Sequence, residues 1–149
     1  MKTVEDFFAL LKKSNLLDPE QFAMARGEVA RMGSGVTPEA AAERLVERDL
    51  LTLWQSQQLL LGWAAFFLGR YKLLDQIGAG GMGQVYKAEH AVMQRLVAVK
   101  VLSKARLQNR TAVERFRREV KAAAALDHHN IITAHDAGQI GDTHYLVME

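Results

Sequence analysis

The segment IGAGGMGQVYK, residues 77–87, places four glycines within six positions and then continues into residues that alternate in character as a strand does. Strand-like residues also precede it from Tyr71, and a third such run covers residues 96–102. Short connections between these runs favour antiparallel pairing. Two later stretches, residues 131–136 and 143–148, have the same character. The first three runs therefore predict an antiparallel sheet, and the two later stretches are further candidate strands.

One helix is expected between the third and fourth of these strands. Thr111 and Glu114 have the spacing of a capping box, and the helical pattern runs to about Leu126. The apolar stripe of this helix consists of Val113, Phe116, Val120 and Ala123. Because successive residues of a helix are rotated by about 100°, Glu119 is expected at the edge of that stripe, beside the sheet.

The glycine pattern G-x-G-x-x-G alone is weak evidence, because it also occurs in dinucleotide-binding folds. In those folds the glycines follow a strand and open a helix, with an acidic residue about 20 positions further on. Here strand-like residues follow the glycines, and Lys100 lies where the acidic residue is needed. The dinucleotide interpretation fails on both counts.

From Leu68 to Glu149 the sequence resembles the protein kinase family, specifically the bacterial serine/threonine kinases. Five motifs occur in the order and spacing of that family. They are GAGGMGQV at 78–85, AVK at 98–100, FRRE at 116–119, HHNII at 128–132 and YLVME at 145–149. His129 stands where the family usually has proline. The run FFLGRY, residues 66–71, after a helical region is similar to planctomycete-type kinases.

The resemblance implies an α+β fold with a kinase-like N-terminal lobe, made of a five-stranded antiparallel sheet and one helix of the αC type. It implies that Lys100 and Glu119 form the ion pair that positions ATP, and that Met148 and Glu149 are the gatekeeper and first hinge residue. The residues implied to contact the nucleotide are Ile77, Gly78, Ala79, Gly80, Gly81, Met82, Gly83, Val85, Ala98, Lys100, Met148 and Glu149.

The chemistry of these residue types agrees with the resemblance but leaves alternatives open. Glycine permits positive φ and close approach of backbone N–H groups to phosphate oxygens. Lys100, on a strand under the glycines, is suited to the α- and β-phosphates of ATP. The alternatives are a tight hairpin without a ligand, a surface lysine whose stem covers apolar residues, and a surface pair of Glu119 with Arg115. Periodicity alone does not decide between them.

In the kinase family the catalytic aspartate and the magnesium ligands lie beyond the position that matches Glu149. The resemblance therefore implies ATP and Mg²⁺ as cofactors, with the magnesium ligands outside these 149 residues. The chain corresponds to a kinase lobe truncated at the hinge and is expected to be inactive alone. The alternative is a non-catalytic protein-interaction module or a pseudokinase-like scaffold. The joint presence of Gly78, Gly80, Gly83, Lys100 and Glu119 favours the kinase, since a scaffold does not need that set.

Residues 1–68 are predicted to form a separate bundle of four short helices, ahead of a lobe at 69–149. Asp18, Thr37 and Thr52 each have the position of a helix N-cap. A shift of 34 residues aligns Leu16, Leu17, Asp18 and Gln21 with Leu50, Leu51, Thr52 and Gln55, which indicates two related helix pairs. Tetratricopeptide arrays share this period, but their aromatic pattern is absent. We expect an interaction or regulatory module with a protein partner.

Composition limits the remaining function classes. The chain has no cysteine, which excludes disulfides and thiolate metal sites, and a metal site built from His128, His129 and His135 has no thiolate partner. Residues 1–68 carry a net charge of −2 and residues 70–149 of +4, so the second unit suits an anionic ligand. The total of +2 gives no argument for nucleic acid. The apolar run 59–68 is too short to cross a membrane, and no export signal is visible, so a cytoplasmic protein is expected.

Overall fold

The computed structural model of the chain describes residues 1–80, 83–101, 118, 134–140 and 143–148. The chain divides into two compact units, Met1–Phe66 and Phe67–Glu149. We call them the helical unit and the sheet unit. Phe67 and Leu68 form a short strand of the sheet unit, so the structure divides the chain two residues before the division drawn from the sequence.

The helical unit contains four helices, each of which begins after a side chain that caps it. The helices are α1 (Val4–Ser14), α2 (Pro19–Ala30), α3 (Pro38–Glu47) and α4 (Leu53–Leu60). The caps are Thr3, Asp18, Thr37 and Thr52, and each accepts a hydrogen bond from the backbone N–H three residues later. Such bonds satisfy backbone donors that lack a partner at a helix start. The four predicted helices are therefore confirmed.

The caps of α2 and α4 have the same construction. The amide nitrogen of Gln21 donates to Asp18 over 2.7 Å, and the side-chain oxygen of Gln21 accepts from the Asp18 backbone over 3.0 Å. Gln55 and Thr52 repeat this reciprocal pair at 3.1 and 3.0 Å. The two capping boxes lie 34 residues apart, at positions that the sequence shift aligned. Thr3 and Asp6 form a third capping box, which the sequence analysis did not identify.

The core of the helical unit is made of residues from all four helices and the segments between them. Its buried members are Phe7, Phe8, Leu11, Leu16, Ala25, Val29, Ala41, Ala42, Leu45, Leu51, Leu59 and Phe66. Edge-to-face aromatic pairs join Phe8 to Phe22 at 5.8 Å and Trp54 to Phe66 at 5.7 Å between ring centroids. Because every member of this cluster lies within Met1–Phe66, the unit has a hydrophobic core of its own.

Helix α2 contains a glycine that its packing does not require. A Cβ atom built at Gly27 meets no heavy atom within 4 Å. Glycine in a helix interior costs about 1 kcal/mol relative to alanine. By contrast, Gly35 has a φ of +77°, where an L side chain is strained.

We predict that Gly27→Ala stabilises the helical unit by about 0.5–1 kcal/mol, because alanine restricts the unfolded chain and meets no clash. The matched control, Gly35→Ala, should destabilise it. Urea unfolding of the full chain, followed by circular dichroism at the helix band, measures both. A lower midpoint for Gly27→Ala would contradict the described environment of Gly27.

The sheet unit is built on one antiparallel sheet. Its strands are β1 (Phe67–Leu68), β2 (Tyr71–Gly80), β3 (Gly83–His90), β4 (Leu96–Val101), β5 (Ala134–Ile140) and β6 (Thr143–Met148). Their order is β1-β2-β3-β4-β6-β5. The five predicted strands are confirmed as β2 to β6, and the fold class with them. Strand β1 is additional, and its two residues are too few to show a sequence pattern.

The helix predicted over residues 111–126, including Glu119, lies outside the described residues except for Arg118, which is helical and exposed. The fourth predicted strand began at Ile131, and the described strand begins at Ala134. Residues 131–133 are likewise outside the description. The prediction for the helix therefore stays a prediction.

Alternating burial along β4 separates the two faces of the sheet. Val97 and Val99 are buried, whereas Ala98, which lies between them, and Lys100, which follows Val99, are only partly buried. Residues directly opposite each other in antiparallel strands lie on the same face. Val99 is paired with the fully buried Val147 of β6. Val97 and Val99 therefore belong to the sheet's hydrophobic core, and Lys100 lies on the other face.

Strand β2 carries two irregularities. Its register with β3 shifts between Leu73 and Asp75, and again between Gln76 and Gly78, so Leu74 and Ile77 are extra residues. Bulges of this kind increase the right-handed twist of a strand. The second bulge comes directly before the glycine segment and therefore increases the twist of β2 where that segment begins.

Candidate functional site

The glycine segment forms the end of the hairpin between β2 and β3. Gly78 pairs with Val85, Ala79 with Gln84, and Gly80 with Gly83. The two residues between the last pair, Gly81 and Met82, lie outside the described residues. The strands are thus paired along the described length of the glycine segment. We call residues 78–85 the glycine hairpin.

Gly78 does not need positive φ. Its φ lies outside the left-handed range, and a Cβ atom there would meet only the Cβ of Val85, at an ordinary 3.8 Å. The sequence argument from positive φ therefore does not apply at this position. What glycine provides at Gly78 is a backbone without a side chain above it, which lets another molecule approach closely.

A single row across four strands brings the main predicted residues together. Val85 of β3 pairs with Gly78 of β2 on one side and with Lys100 of β4 on the other, and Lys100 pairs with Leu146 of β6. Val85 and Lys100 are partly buried, and Leu146 is buried. The row places the Lys100 ammonium group on the same face of the sheet as the Val85 side chain, with the backbone of Gly78 two strands away. Such a face is suited to an anion.

The neighbouring row adds an apolar element beside the lysine. Ala98 lies two residues before Lys100 on β4 and therefore on the same face. Its backbone partners are Lys87 on β3 and Met148 on β6. Val85 and Ala98 are diagonal neighbours across β3 and β4, so their side chains offer an apolar surface next to the ammonium group.

The other predicted site residues divide into two groups. Ile77 is the extra residue of the second β2 bulge and is 56% exposed, directly before the glycine hairpin. Gly81, Met82, Glu119 and Glu149 lie outside the described residues. The ion pair between Lys100 and Glu119 therefore stays a prediction, and so does the contact expected from Glu149.

The opposite face of β3 carries two residues that the sequence analysis missed. Gln84 and Tyr86 flank Val85, so both point away from the face of Lys100. The Tyr86 hydroxyl donates a hydrogen bond to Oε1 of Gln84. Burial raises the pKa of Tyr86 above the ordinary tyrosine value of 10.0. The signal available in the sequence was the alternation of polar and apolar residues at 84–86.

We predict that Tyr86 ionises at a higher pH than an ordinary tyrosine. Since the raised pKa favours the protonated form in the folded chain, its contribution to stability is present below pH 10 and is lost as pH rises through the folded value. The ultraviolet absorbance of tyrosinate, titrated for wild type and Tyr86→Phe, gives the Tyr86 curve by difference. A midpoint below 10 would contradict the described burial.

Metal ligation and membrane crossing are two further properties that concern the described part of the chain. No group of three or more histidine or acidic side chains there could hold a metal ion. Of the three histidines considered above, His128 and His129 are outside the description, and His135 lies in β5. Among the same described residues, no helix is long and apolar enough to cross a membrane.

Comparison with known proteins gives consistent matches for the sheet unit. The family described as "Protein kinase domain" matches residues 71–149. "Serine/threonine-protein kinase PrkC" of Bacillus subtilis is 44% identical over 81 residues, which are 54% of this chain and 12% of that protein. "Serine/threonine-protein kinase PknA" of Mycobacterium tuberculosis is 44% identical over 86 residues, with 54% and 20% covered.

The solved kinase domain of Mycobacterium tuberculosis PknI has a TM-score of 0.47 and 31% identity, covering 56% of this chain and 34% of that one. Both curated relatives are much longer than the region they share with this chain, which spans 12% of one and 20% of the other. Both matches to these relatives cover slightly more than half of this chain.

Proposed function

Because this chain belongs to the protein kinase family, through residues 71–149, we propose that its sheet unit is the ATP-binding lobe of a serine/threonine protein kinase. In the complete protein, this lobe serves the transfer of the γ-phosphoryl group of ATP to serine or threonine side chains of a protein substrate. The observation that carries the proposal is the row that joins Gly78, Val85 and Lys100 on one face of the sheet.

The dimensions of this row suit a triphosphate. Neighbouring strands of a sheet are about 4.8 Å apart, so the backbone of Gly78 lies about 10 Å from that of Lys100. Side chains stand roughly perpendicular to a sheet, so the Lys100 ammonium group extends above the row and leaves room for phosphate oxygens between itself and the Gly78 backbone. Phosphate binding then uses backbone N–H groups on one side and the Lys100 charge on the other.

The apolar neighbours of Lys100 are suited to the base of the nucleotide. Val85 and Ala98 offer small apolar side chains on the face of the row, and the backbone of Met148 runs beside Ala98. We propose that adenine packs on Val85 and Ala98, and that Met148 and Glu149 are the gatekeeper and first hinge residue. We also propose that Glu119 pairs with Lys100 and holds the ammonium group toward the phosphates.

Magnesium is the second cofactor that kinases of this family generally use, and the described residues do not fit it. Among them, no group of three acidic or histidine side chains could hold a metal ion. The family's H-R-D and D-F-G sequences, which supply the catalytic base and a magnesium ligand, do not occur in the 149 residues. ATP binding by this chain therefore depends on the glycine backbone, Lys100 and apolar contacts.

We predict that the chain binds ATP weakly, with a dissociation constant in the millimolar range, and that Lys100→Ala weakens binding further. Each lost 1.4 kcal/mol of contact energy weakens affinity about tenfold. Chemical-shift titration with magnesium and ATP measures such weak binding residue by residue. The matched control is Lys72→Ala. Lys72 lies on β2 at the end that pairs with β1, so this variant should bind ATP as wild type does.

Tight binding that is independent of Lys100 would contradict the proposed position of the phosphates. An absence of shifts at Gly78, Val85 and Ala98, even near 10 mM ATP (about −2.7 kcal/mol of binding), would contradict nucleotide binding by this lobe.

We predict that the 149-residue chain alone transfers no phosphate to a protein. Positioning and charge neutralisation supply nearly all the acceleration of phosphoryl transfer, and the H-R-D and D-F-G sequences that provide much of both are not among these residues. A chimera tests the lobe itself. In it, residues 69–149 replace the matching segment of Bacillus subtilis PrkC. A radiolabelled γ-phosphate assay should detect transfer by the chimera, and Lys100→Ala should abolish it.

The chimera also separates the two function classes. A folded chimera without activity, beside active PrkC, would favour a degenerate scaffold over an ATP-binding lobe. Robust transfer by the 149-residue chain alone would show that the missing catalytic roles are assigned wrongly.

We further propose that the helical unit is an interaction or regulatory module with a protein partner, and that the protein is a cytoplasmic kinase of the planctomycete type. The helical unit has its own core, and no metal-binding cluster occurs among its residues. The sequence FFLGRY at 66–71 supports the planctomycete type. The absence of cysteine fits a reducing compartment. No feature of the charge distribution calls for nucleic acid.

A further inference from the structure

The glycine hairpin receives little support from side-chain packing on its ligand face. Gly78 has no side chain, and Ile77 before it is 56% exposed. Strand β1 pairs with β2 only at Tyr71 and Lys72, so in the described residues the glycine part of β2 pairs with β3 alone. The position of the glycine part of β2 therefore depends on the position of β3.

Gln84 and Tyr86 supply such support on the face of the hairpin that points away from Lys100, which we call its outer face. Gln84 lies opposite Ala79, within the glycine segment, and Tyr86 lies opposite Val99, in the sheet core. Val99 is fully buried, and Tyr86 is partly buried. The backbone of Gln84 is already paired with Val101 of β4. The hydrogen bond from the Tyr86 hydroxyl to Oε1 of Gln84 adds a side-chain link between this glycine end of β3 and the part of β3 opposite Val99. Burial raises the pKa of Tyr86 above the ordinary 10.0, so its hydroxyl is a donor at neutral pH, as that of any tyrosine is.

We propose that Gln84 and Tyr86 are positioning residues that brace the glycine hairpin from its outer face and thereby increase its affinity for the phosphate groups of ATP. This inference rests on the proposed function of the sheet unit. A backbone that is held in its binding conformation loses less freedom when a ligand binds, so bracing raises affinity without touching the ligand. Loss of one hydrogen bond of this kind corresponds to about a two- to tenfold loss in ATP affinity.

Three variants of the full chain test the brace. Tyr86→Phe removes only the hydroxyl donor, Gln84→Met removes the acceptor at similar size, and Gln84→Glu keeps an acceptor oxygen. Nitrogen-15 relaxation of the nucleotide-free chain reports the order of the Gly78 and Gln84 amides. We expect lower order parameters in Tyr86→Phe and Gln84→Met, and values near wild type in Gln84→Glu. The double variant Tyr86→Phe/Gln84→Met should be no worse than either single one, because both remove the same bond.

Affinities for ATP and for adenosine separate bracing of the hairpin from general destabilisation. In Tyr86→Phe we expect ATP, measured with magnesium by chemical-shift titration, to bind two- to tenfold more weakly. Adenosine lacks the phosphates that the hairpin would hold, so its affinity should not change. Gln84→Glu is judged by relaxation alone, since its added charge repels phosphate.

Unchanged order parameters in Tyr86→Phe would overturn the brace, whether or not the chain binds ATP. An equal loss of ATP and adenosine affinity would overturn the phosphate role and indicate a general structural effect. Failure of wild type to bind ATP would overturn the proposed function and the phosphate role with it, while the relaxation comparison would still decide whether the hydrogen bond orders the hairpin.

Discussion

Backbone pairing of Val85 with Gly78 on one side and with Lys100 on the other determines the geometry of the candidate site. Side chains in a sheet alternate between faces, so a slip of one residue between β3 and β4 would turn Lys100 away from Val85, and a slip between β2 and β3 would put Gly78 and Val85 on different faces. Burial of Val97 and Val99 opposes such a slip, because it would expose them to water. The position of the lysine is thus fixed by hydrophobic residues that lie on the other face.

The sequence predicted most elements whose signal is local. The caps at Asp18, Thr37 and Thr52 are recognisable because a single side chain bonds the backbone three residues later, and strands β2 to β6 show long enough patterns. Strand β1 has two residues and shows no period. The bulges at Leu74 and Ile77 depend on how two strands align, which a single sequence does not record.

The candidate site was predictable to a similar degree. Gly78, Val85, Ala98 and Lys100 share one face of the sheet, and strand alternation with short connections largely dictates this arrangement. The reason for glycine at Gly78 was only half predictable, since its φ depends on where the turn begins. The bond between Tyr86 and Gln84 was missed because it involves the face away from the motif. Glu119 remains a prediction from the resemblance.

The order of strands has a consequence for synthesis on the ribosome. Strand β6 follows β5 in the chain but lies between β4 and β5 in the sheet. Lys100 therefore pairs with Leu146 only after 46 further residues have been translated. Protein chains emerge from the N-terminus at about 5–20 residues per second, and domains generally fold as units. The helical unit completes its core at Phe66. During translation, the helices are therefore able to fold while β4 still lacks its β6 partner.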